Sequence, residues 1–250
     1  MTAVRGETGM EKRQELYKGK AKTVYATDDP RYLVMHYRDD VSAFDGAKLA
    51  SLERKGETNN LFNAHVMQRL AQAGVASHFV RVLGERESLV RAMKMLPVEC
   101  VVRNVVAGSM AKRYGIAEGT RLPEPIFEFF LKSDALHDPL VNDDHIRVLG
   151  WASADEIAQM KAMTHRVNSV LRPLFAAAGI DLVDYKLEFG HPVDDPGGPL
   201  VLGDEFTPDG CRLWDATTGE KMDKDRFRRD LGSVIEHYRE VGRRIGVPGM

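Results

Sequence analysis

Cysteine is nearly missing from this chain of 250 residues. Cys100 and Cys211 stand far apart with no CxxC around either, which excludes a disulfide-stapled fold and a thiolate metal site. Both read as reduced residues of a cytoplasmic protein. No apolar run approaches the roughly 18 residues that a membrane span needs, so no membrane is expected as a partner. Met1 to Gly9 are polar, lack the apolar stretch of a secretory signal, and read as a flexible extension, residues 1–9. Neither sign of charge dominates: 35 basic against 37 acidic side chains leave a formal −2, which removes the electrostatic reason to expect nucleic acid. The eight histidines show no HxxxH or HExxH spacing, so zinc is not expected. Repeats and low-complexity segments are also absent. What remains is an ordinary globular composition, 43% hydrophobic, in a chain long enough for one large domain or two small ones.

Periodicity divides the chain. Leu16 to Tyr25 and Tyr32 to Tyr37 read as strands around the turn signal Thr27-Asp28-Asp29-Pro30, with Gly19 inside the first. Leu61, Phe62, His65, Val66 and Leu70 recur at helical spacing between a cap candidate, Thr58, and Gly74. Two more strands, His78 to Val82 and Ser88 to Met93, lead to Pro97, which predicts a break before the strand from Val98 to Arg103. A hinge near Met95 to Pro97 would separate a β-rich N-terminal lobe, residues 10–95, from a larger α+β lobe, residues 96–250. Three prolines and weak periodicity between Arg121 and Leu149 suggest long loops. Ser153 and Glu156 form a capping box for a helix that ends at Gly179 and that Pro173 would bend or shorten. The stripe of Phe227, Leu231, Val234, Tyr238, Val241 and Ile245 predicts one closing helix.

The densest chemistry lies between Asp184 and Asp215. In a strand, Asp184, Lys186 and Glu188 share one face while Val183, Tyr185, Leu187 and Phe189 take the other. If the segment with Gly203, Asp204 and Glu205 pairs with it as a hairpin, Asp204 returns beside Glu188. Two carboxylates facing one space suit Mg²⁺ carried on substrate phosphates, because that ion keeps most of its waters and takes only one or two protein carboxylates. Weaker signals surround this one. Lys18-Gly19-Lys20-Ala21-Lys22 offers small residues and point charges to a phosphate chain, although a solvated basic strand edge explains the same residues. Asp45-Gly46 is either a ligand carboxylate on a turn or a turn alone. Arg103 followed by Gly108-Ser109 fits a phosphate monoester, or a serine helix cap.

In order along the chain, Leu16 to Lys22, Ser42 to Gly46, Val98 to Asn104 with Gly108-Ser109, Lys132 with His137-Asp138-Pro139, Lys186 to Gly190, and Gly203 to Asp215 resemble the motifs of the SAICAR synthetase family. The resemblance covers about Met10 to Val247. It implies an α+β fold, a small antiparallel β lobe over a larger α+β lobe with ATP held between them. It also implies a ligase of purine biosynthesis that joins L-aspartate to the carboxylate of an aminoimidazole carboxylate ribotide with ATP and Mg²⁺, in the cytoplasm, with a homodimer as an expectation from the family alone. Carried over residue by residue, Lys20, Lys22 and the backbone at Met95 would meet ATP, and Glu188 and Asp204 would hold Mg²⁺. Arg103, Ser109 and Arg212 would bind the ribotide phosphate. Asp184 and Lys186 would stand at the reacting carboxylate, with Asp45, Lys132, Asp138 and Arg228 as neighbours. Two departures, the extension before Met10 and a long turn from His191 to Leu200, touch none of these motifs. A small-molecule kinase and a non-catalytic nucleotide-binding module are the competing readings, and dependence of ADP release on L-aspartate separates them from a ligase.

Overall fold

A computed structural model describes residues 10–44 and 46–250. The chain forms β1 (Glu15–Lys18), β2 (Lys22–Ala26), β3 (Tyr32–Tyr37), β4 (Asp40–Ala43), β5 (Lys48–Ser51), α1 (Lys55–Gln72), β6 (Phe79–Gly84), β7 (Glu87–Arg91), β8 (Met93–Val105), α2 (Gly108–Tyr114), β9 (Arg121–Leu131), β10 (Leu140–Val141), α3 (Asp143–Val148), α4 (Ala154–Ala177), β11 (Ile180–Pro192), β12 (Val201–Gly203), β13 (Cys211–Asp215), α5 (Asp225–Arg228) and α6 (Val234–Ile245). The first sheet runs β1-β2-β3-β7-β6, the second β10-β9-β8-β11-β12 with β13 also on β11, and β4 pairs β5 alone. All these pairings are antiparallel, and the helices lie outside the sheets, which makes the α+β class.

The central strand of the second sheet, β11, is the frame of the molecule. Tyr185, Leu187 and Phe189 enter the main core with Met160, Val167 and Leu171 of α4, and burying a side chain of that size contributes about 1.5–3 kcal/mol. The Tyr185 hydroxyl donates to the Thr164 carbonyl at 3.0 Å, so the polar tip is satisfied. The other face of β11 carries Asp184, Lys186 and Glu188. Val183 departs from the expected alternation. A bulge between Leu182 and Asp184 breaks the ladder with β13 and leaves Val183 in a separate small cluster with Val105, Ala107 and Trp214.

Local turn chemistry overrides several other expectations. Leu16 to Tyr25 is a hairpin, not one strand: the Gly19 N–H donates to the Lys22 carbonyl at 2.9 Å and turns the chain between β1 and β2. Helix α1 starts before Thr58, which is buried inside it, and is entered from Arg54 in a left-handed conformation. Strand β8 continues through Pro97 without a break, because Pro97 falls where the β8–β11 ladder is irregular and needs no donor. The proline-rich stretch after Arg121 is also a strand. Pro123 and Pro125 lie in the register gap between the pairs Arg103–Ile126 and Val105–Arg121, where a missing N–H costs nothing. The capping box at Ser153 and Glu156 forms as expected, and α4 runs on through Pro173. The closing stripe is split: Asp230, Gly232 and Ser233 all have positive φ, so α5 and α6 are separate helices and Leu231 is exposed between them.

Helix α1 is unusual in burying polar side chains, and these hold the chain that leads into the site. Asn60 donates to the Gly84 carbonyl at 2.9 Å, Asn63 accepts from the Phe206 N–H at 2.9 Å, and Asn59 donates to Asp209 at 2.9 Å. The helix thus joins the first sheet to the segment after β12. Among the described residues, no helix is long and apolar enough to cross a membrane.

Candidate active site

Antiparallel register builds the first half of the site. Arg103 on β8 lies directly opposite Asp184 on β11, and Arg212 on β13 lies opposite the same aspartate on its other side. Cross-strand partners share a face, so a carboxylate sits between two guanidiniums. Arg103 Nη1 and Arg212 Nη1 each donate to Asp184 at 2.9 Å. The row extends at both ends. Arg103 Nε donates to Glu128 at 2.8 Å, Arg113 also pairs with Glu128, Arg212 Nε donates to Asp225 at 2.9 Å, and Arg228 Nη1 donates to Asp225 at 2.6 Å. Asp184 is 3% exposed and Asp225 2%, so the acids lie behind the bases. Arg103 Nη2 also donates to the Ser109 hydroxyl at 3.2 Å. Ser109 is not a cap, because that position belongs to Ala107.

Four guanidiniums, from Arg103, Arg113, Arg212 and Arg228, meet three carboxylates here, and all four arginines line one cleft of about 650 Å³. The surplus positive charge, with arginines already held by acids on one edge, is the chemistry of a phosphate site. Gly108 gives the cluster its shape. It has φ +54°, and a Cβ there would come within 2.4 Å of an Arg212 guanidinium nitrogen. That guanidinium is tied to Asp184 and Asp225 and cannot swing aside cheaply. Gly108→Ala is therefore expected to raise KM for a phosphorylated substrate about tenfold or more while leaving nucleotide affinity within about twofold, as measured by steady-state kinetics and calorimetry.

The second half of the site lies further along the same face. Glu99 of β8 faces Glu188 of β11 directly, an arrangement that repels unless a cation bridges it. Lys186 does so, at 3.0 Å from Glu99 and 2.6 Å from Glu188, and it reaches Asp204 at 3.5 Å. Lys132 pairs with Glu188, and Lys22 pairs with Asp204 and, at 2.9 Å, with Glu205. Burial alone would push the Lys186 ammonium to lose its proton, but Glu188, Asp204 and Glu99 outweigh it and hold its pKa well above the usual lysine range. Burial likewise opposes ionisation of Asp204; Lys22 and Lys186 prevail and hold that carboxyl well below the usual range. Glu99 is pushed up, by burial first and by Glu188 in addition.

Four carboxylates against three ammoniums leave this half short of positive charge. Glu188 and Asp204 converge on Lys186, and both are hard oxygen donors of the kind Mg²⁺ takes. Among the described residues no group of three or more His, Cys, Asp or Glu is placed to hold a metal alone. The donor set therefore fits an ion that brings phosphate and water ligands with it.

The remaining expected residues fall around these clusters. Lys20 stands in the turn between β1 and β2, not on one strand face with Lys22; it lines the cleft and pairs with Asp134 at 2.9 Å. Met95 packs its thioether against Gly203, where a Cβ would come within 2.7 Å of it, beside Asp204. Asp138 lines the cleft and accepts from the Ser133 N–H at 2.8 Å. Lys132 is brought to Glu188, away from the arginine row. Asp45 lies outside the described residues. Glu99, Arg113, Glu128 and Asp225 were not expected from the sequence. Three of them had a faint signal: Glu99 shares strand parity with Arg103, Arg113 follows Ser109 by one helical turn, and Glu128 interrupts Phe127-Glu128-Phe129-Phe130.

Comparison with known proteins identifies the family. A family model described as SAICAR synthetase matches residues 15–245. The phosphoribosylaminoimidazole-succinocarboxamide synthase of Hahella chejuensis is 61% identical over 238 residues, covering 95% of this chain and 99% of its own. The crystal structure of the enzyme of that name from Ehrlichia chaffeensis superposes with a TM-score of 0.93 at 41% identity, covering 95% of this chain and 100% of that one. A SAICAR synthetase solved in complex with ADP gives 0.89 at 45% identity, covering 93% and 97%.

Proposed function

This chain belongs to the SAICAR synthetase family, and we propose that its two charged clusters divide the substrates of that reaction between them. Its activity is that of an ATP-dependent ligase of purine biosynthesis, joining L-aspartate to the carboxylate of the aminoimidazole carboxylate ribotide. The observation that carries the division is the opposite charge balance of two clusters on one sheet face, meeting where Asp184 and Lys186 stand two residues apart on β11. The arginine row, Arg103, Arg212, Arg228 and the adjoining Ser109, takes the ribotide phosphate. The lysine–carboxylate cluster takes ATP, with Lys20 and Lys22 toward its phosphates and the backbone at Met95 toward adenine.

A carboxylate does not condense with an amine at neutral pH because oxide is a very poor leaving group. Transfer of the γ-phosphoryl group to the ribotide carboxylate oxygen, with ADP leaving, makes an acyl phosphate. Attack by the aspartate amine on its carbonyl then forms the C–N bond and expels phosphate. Glu188 and Asp204 would hold Mg²⁺, which when bound with ATP neutralises charge growing on the transferring oxygens. Lys186, kept cationic by its three carboxylates, is placed to draw the acceptor carboxylate toward the ATP side. Asp184 has both oxygens engaged by arginines, so its part is to fix the acceptor end of the ribotide site.

An assay coupled to ADP is expected to show turnover only with ribotide and L-aspartate together. Full-rate ADP release on ribotide alone would sink the ligase assignment and restore the small-molecule kinase. A division into lobes at residues 10–95 and 96–250 belongs to the same proposal; in its support, the sheets change close to that boundary, between Arg91 and Met93, while β8 itself runs on across it. So do a cytoplasmic location and a homodimer, for which the family is the only support.

A further inference from the structure

The residue that fixes Asp204 lies in neither cluster. Just past β12, Asp204 takes φ +54°, a left-handed conformation that residues with a Cβ avoid. That turn ends the strand alternation and sends the carboxylate toward Lys22 and Lys186. A backbone held there needs an anchor, and the contacts of Asp204 show one. Its carbonyl oxygen lies 2.7 Å from His78 Nε2. His78 is 4% exposed, and its backbone N–H donates to the Leu202 carbonyl at 2.8 Å while its own carbonyl accepts from Arg91 at 2.7 Å. It therefore grips the end of β12 at two carbonyls, two residues apart, and is itself held by β7. Since a carbonyl oxygen only accepts, Nε2 carries the proton. A neutral imidazole gives this donor without setting another cation against Lys22.

We propose that His78 is a positioning residue for the nucleotide end of the site: its Nε2–H holds the Asp204 carbonyl in the left-handed turn that aims the carboxylate at the metal. The proposal rests on the reading of Asp204 as a metal ligand. It predicts that the imidazole matters to the part of nucleotide affinity that Mg²⁺ adds, and little to affinity without Mg²⁺.

The test is calorimetric titration of ADP, with and without Mg²⁺, into the full-length protein and the variants His78→Leu, His78→Asn, His78→Gln and Asp204→Asn. A glutamine nitrogen reaches the place of Nε2, whereas an asparagine nitrogen stops one methylene short. His78→Leu and His78→Asn are expected to lose about tenfold of the Mg²⁺-dependent gain in ADP affinity, with Mg²⁺-free binding within about twofold of the parent and His78→Gln close to the parent. A parent-like gain in His78→Leu and His78→Asn, with the gain lost in Asp204→Asn, overturns the role of His78 alone. An undiminished gain in Asp204→Asn overturns the metal reading and the His78 proposal with it. Should the leucine variant not fold, the asparagine–glutamine pair carries the comparison. Independently of any folding defect, ¹⁵N-histidine spectra of the parent protein are expected to show the Nε2–H tautomer for the resonance missing from His78→Gln, and an Nδ1–H tautomer there overturns the proposal.

Discussion

Replacing Glu188 by glutamine or Asp204 by asparagine is expected to lower kcat by about 10³, the order of loss found when a group that stabilises transition-state charge is removed. The thermal midpoint should stay within a few degrees of the parent. Rate and stability separate because of how the lysines are shared. Without the Glu188 charge, Lys186 keeps Glu99 at 3.0 Å, and the half-exposed Lys132 turns to water. Without the Asp204 charge, Lys22 keeps Glu205 at 2.9 Å. Neither change leaves a buried ammonium alone, and each relieves the desolvation of one buried carboxylate, so the cost to folding is less than about 2 kcal/mol. Parallel measurement of kcat and of thermal unfolding checks both halves. Near-parent kcat in either variant would remove that residue from the metal assignment, whereas loss of folding would show that the shared-lysine account is wrong.

The part of the site legible in the sequence was the part that obeys period two. Asp184, Lys186 and Glu188 on one face, with Tyr185, Leu187 and Phe189 on the other, follow from strand geometry alone, and the antiparallel pairing of Glu188 with Gly203 brings Asp204 back to that end of β11, although the left-handed turn that aims its carboxylate was not legible. What could not be read was set by neighbours distant in sequence. Glu128 looked like part of a loop because Pro123 and Pro125 obscure the strand, and nothing local says that those prolines occupy a register gap. Asp225 sits just before a break that the apolar stripe from Phe227 to Ile245 hides, since the positive φ of Asp230, Gly232 and Ser233 is a backbone property the stripe does not encode. His78 stood only at the start of an expected strand, with nothing to mark its side chain. Its importance comes from Asp204, 126 residues away, and from a left-handed turn there that no local pattern announces.

The same clusters explain why the two halves of the face respond differently to substitution. In the lysine half Lys22 and Lys186 each have a second acid and Lys132 is half-exposed, so charges can be removed singly. In the arginine half the acids are each shared by at least two bases and are buried. Removing Asp184 takes one of two acids from Arg103 and from Arg212 at once.

Asp184→Asn is therefore expected to damage stability and function together. Asp184 holds Arg103 and Arg212 at 2.9 Å each, and Arg103 is itself only 4% exposed. Breaking a buried ion pair from one side costs about 3–5 kcal/mol. Because Arg103 keeps Glu128 and Arg212 keeps Asp225, the expected cost is near the lower end, about 3 kcal/mol, or a fall of roughly 6–12 °C in thermal midpoint for a chain of this size. The loosened guanidiniums would repel each other and lose the arrangement in which they line the cleft. Affinity for the ribotide should then fall by 10² or more, while ADP with Mg²⁺, held by the other cluster, should bind within about threefold of the parent. Scanning fluorimetry gives the first number and calorimetry with each ligand the others. A variant that melts with the parent and binds the ribotide normally would mean that Arg103 and Arg212 do not need Asp184 between them, and the account of the arginine row as one acid-organised phosphate site would fail. Equal loss of ADP and ribotide binding would instead show that the two clusters are one coupled unit, since Asp184 and Lys186 are two residues apart on β11 and a shift of that strand would carry both.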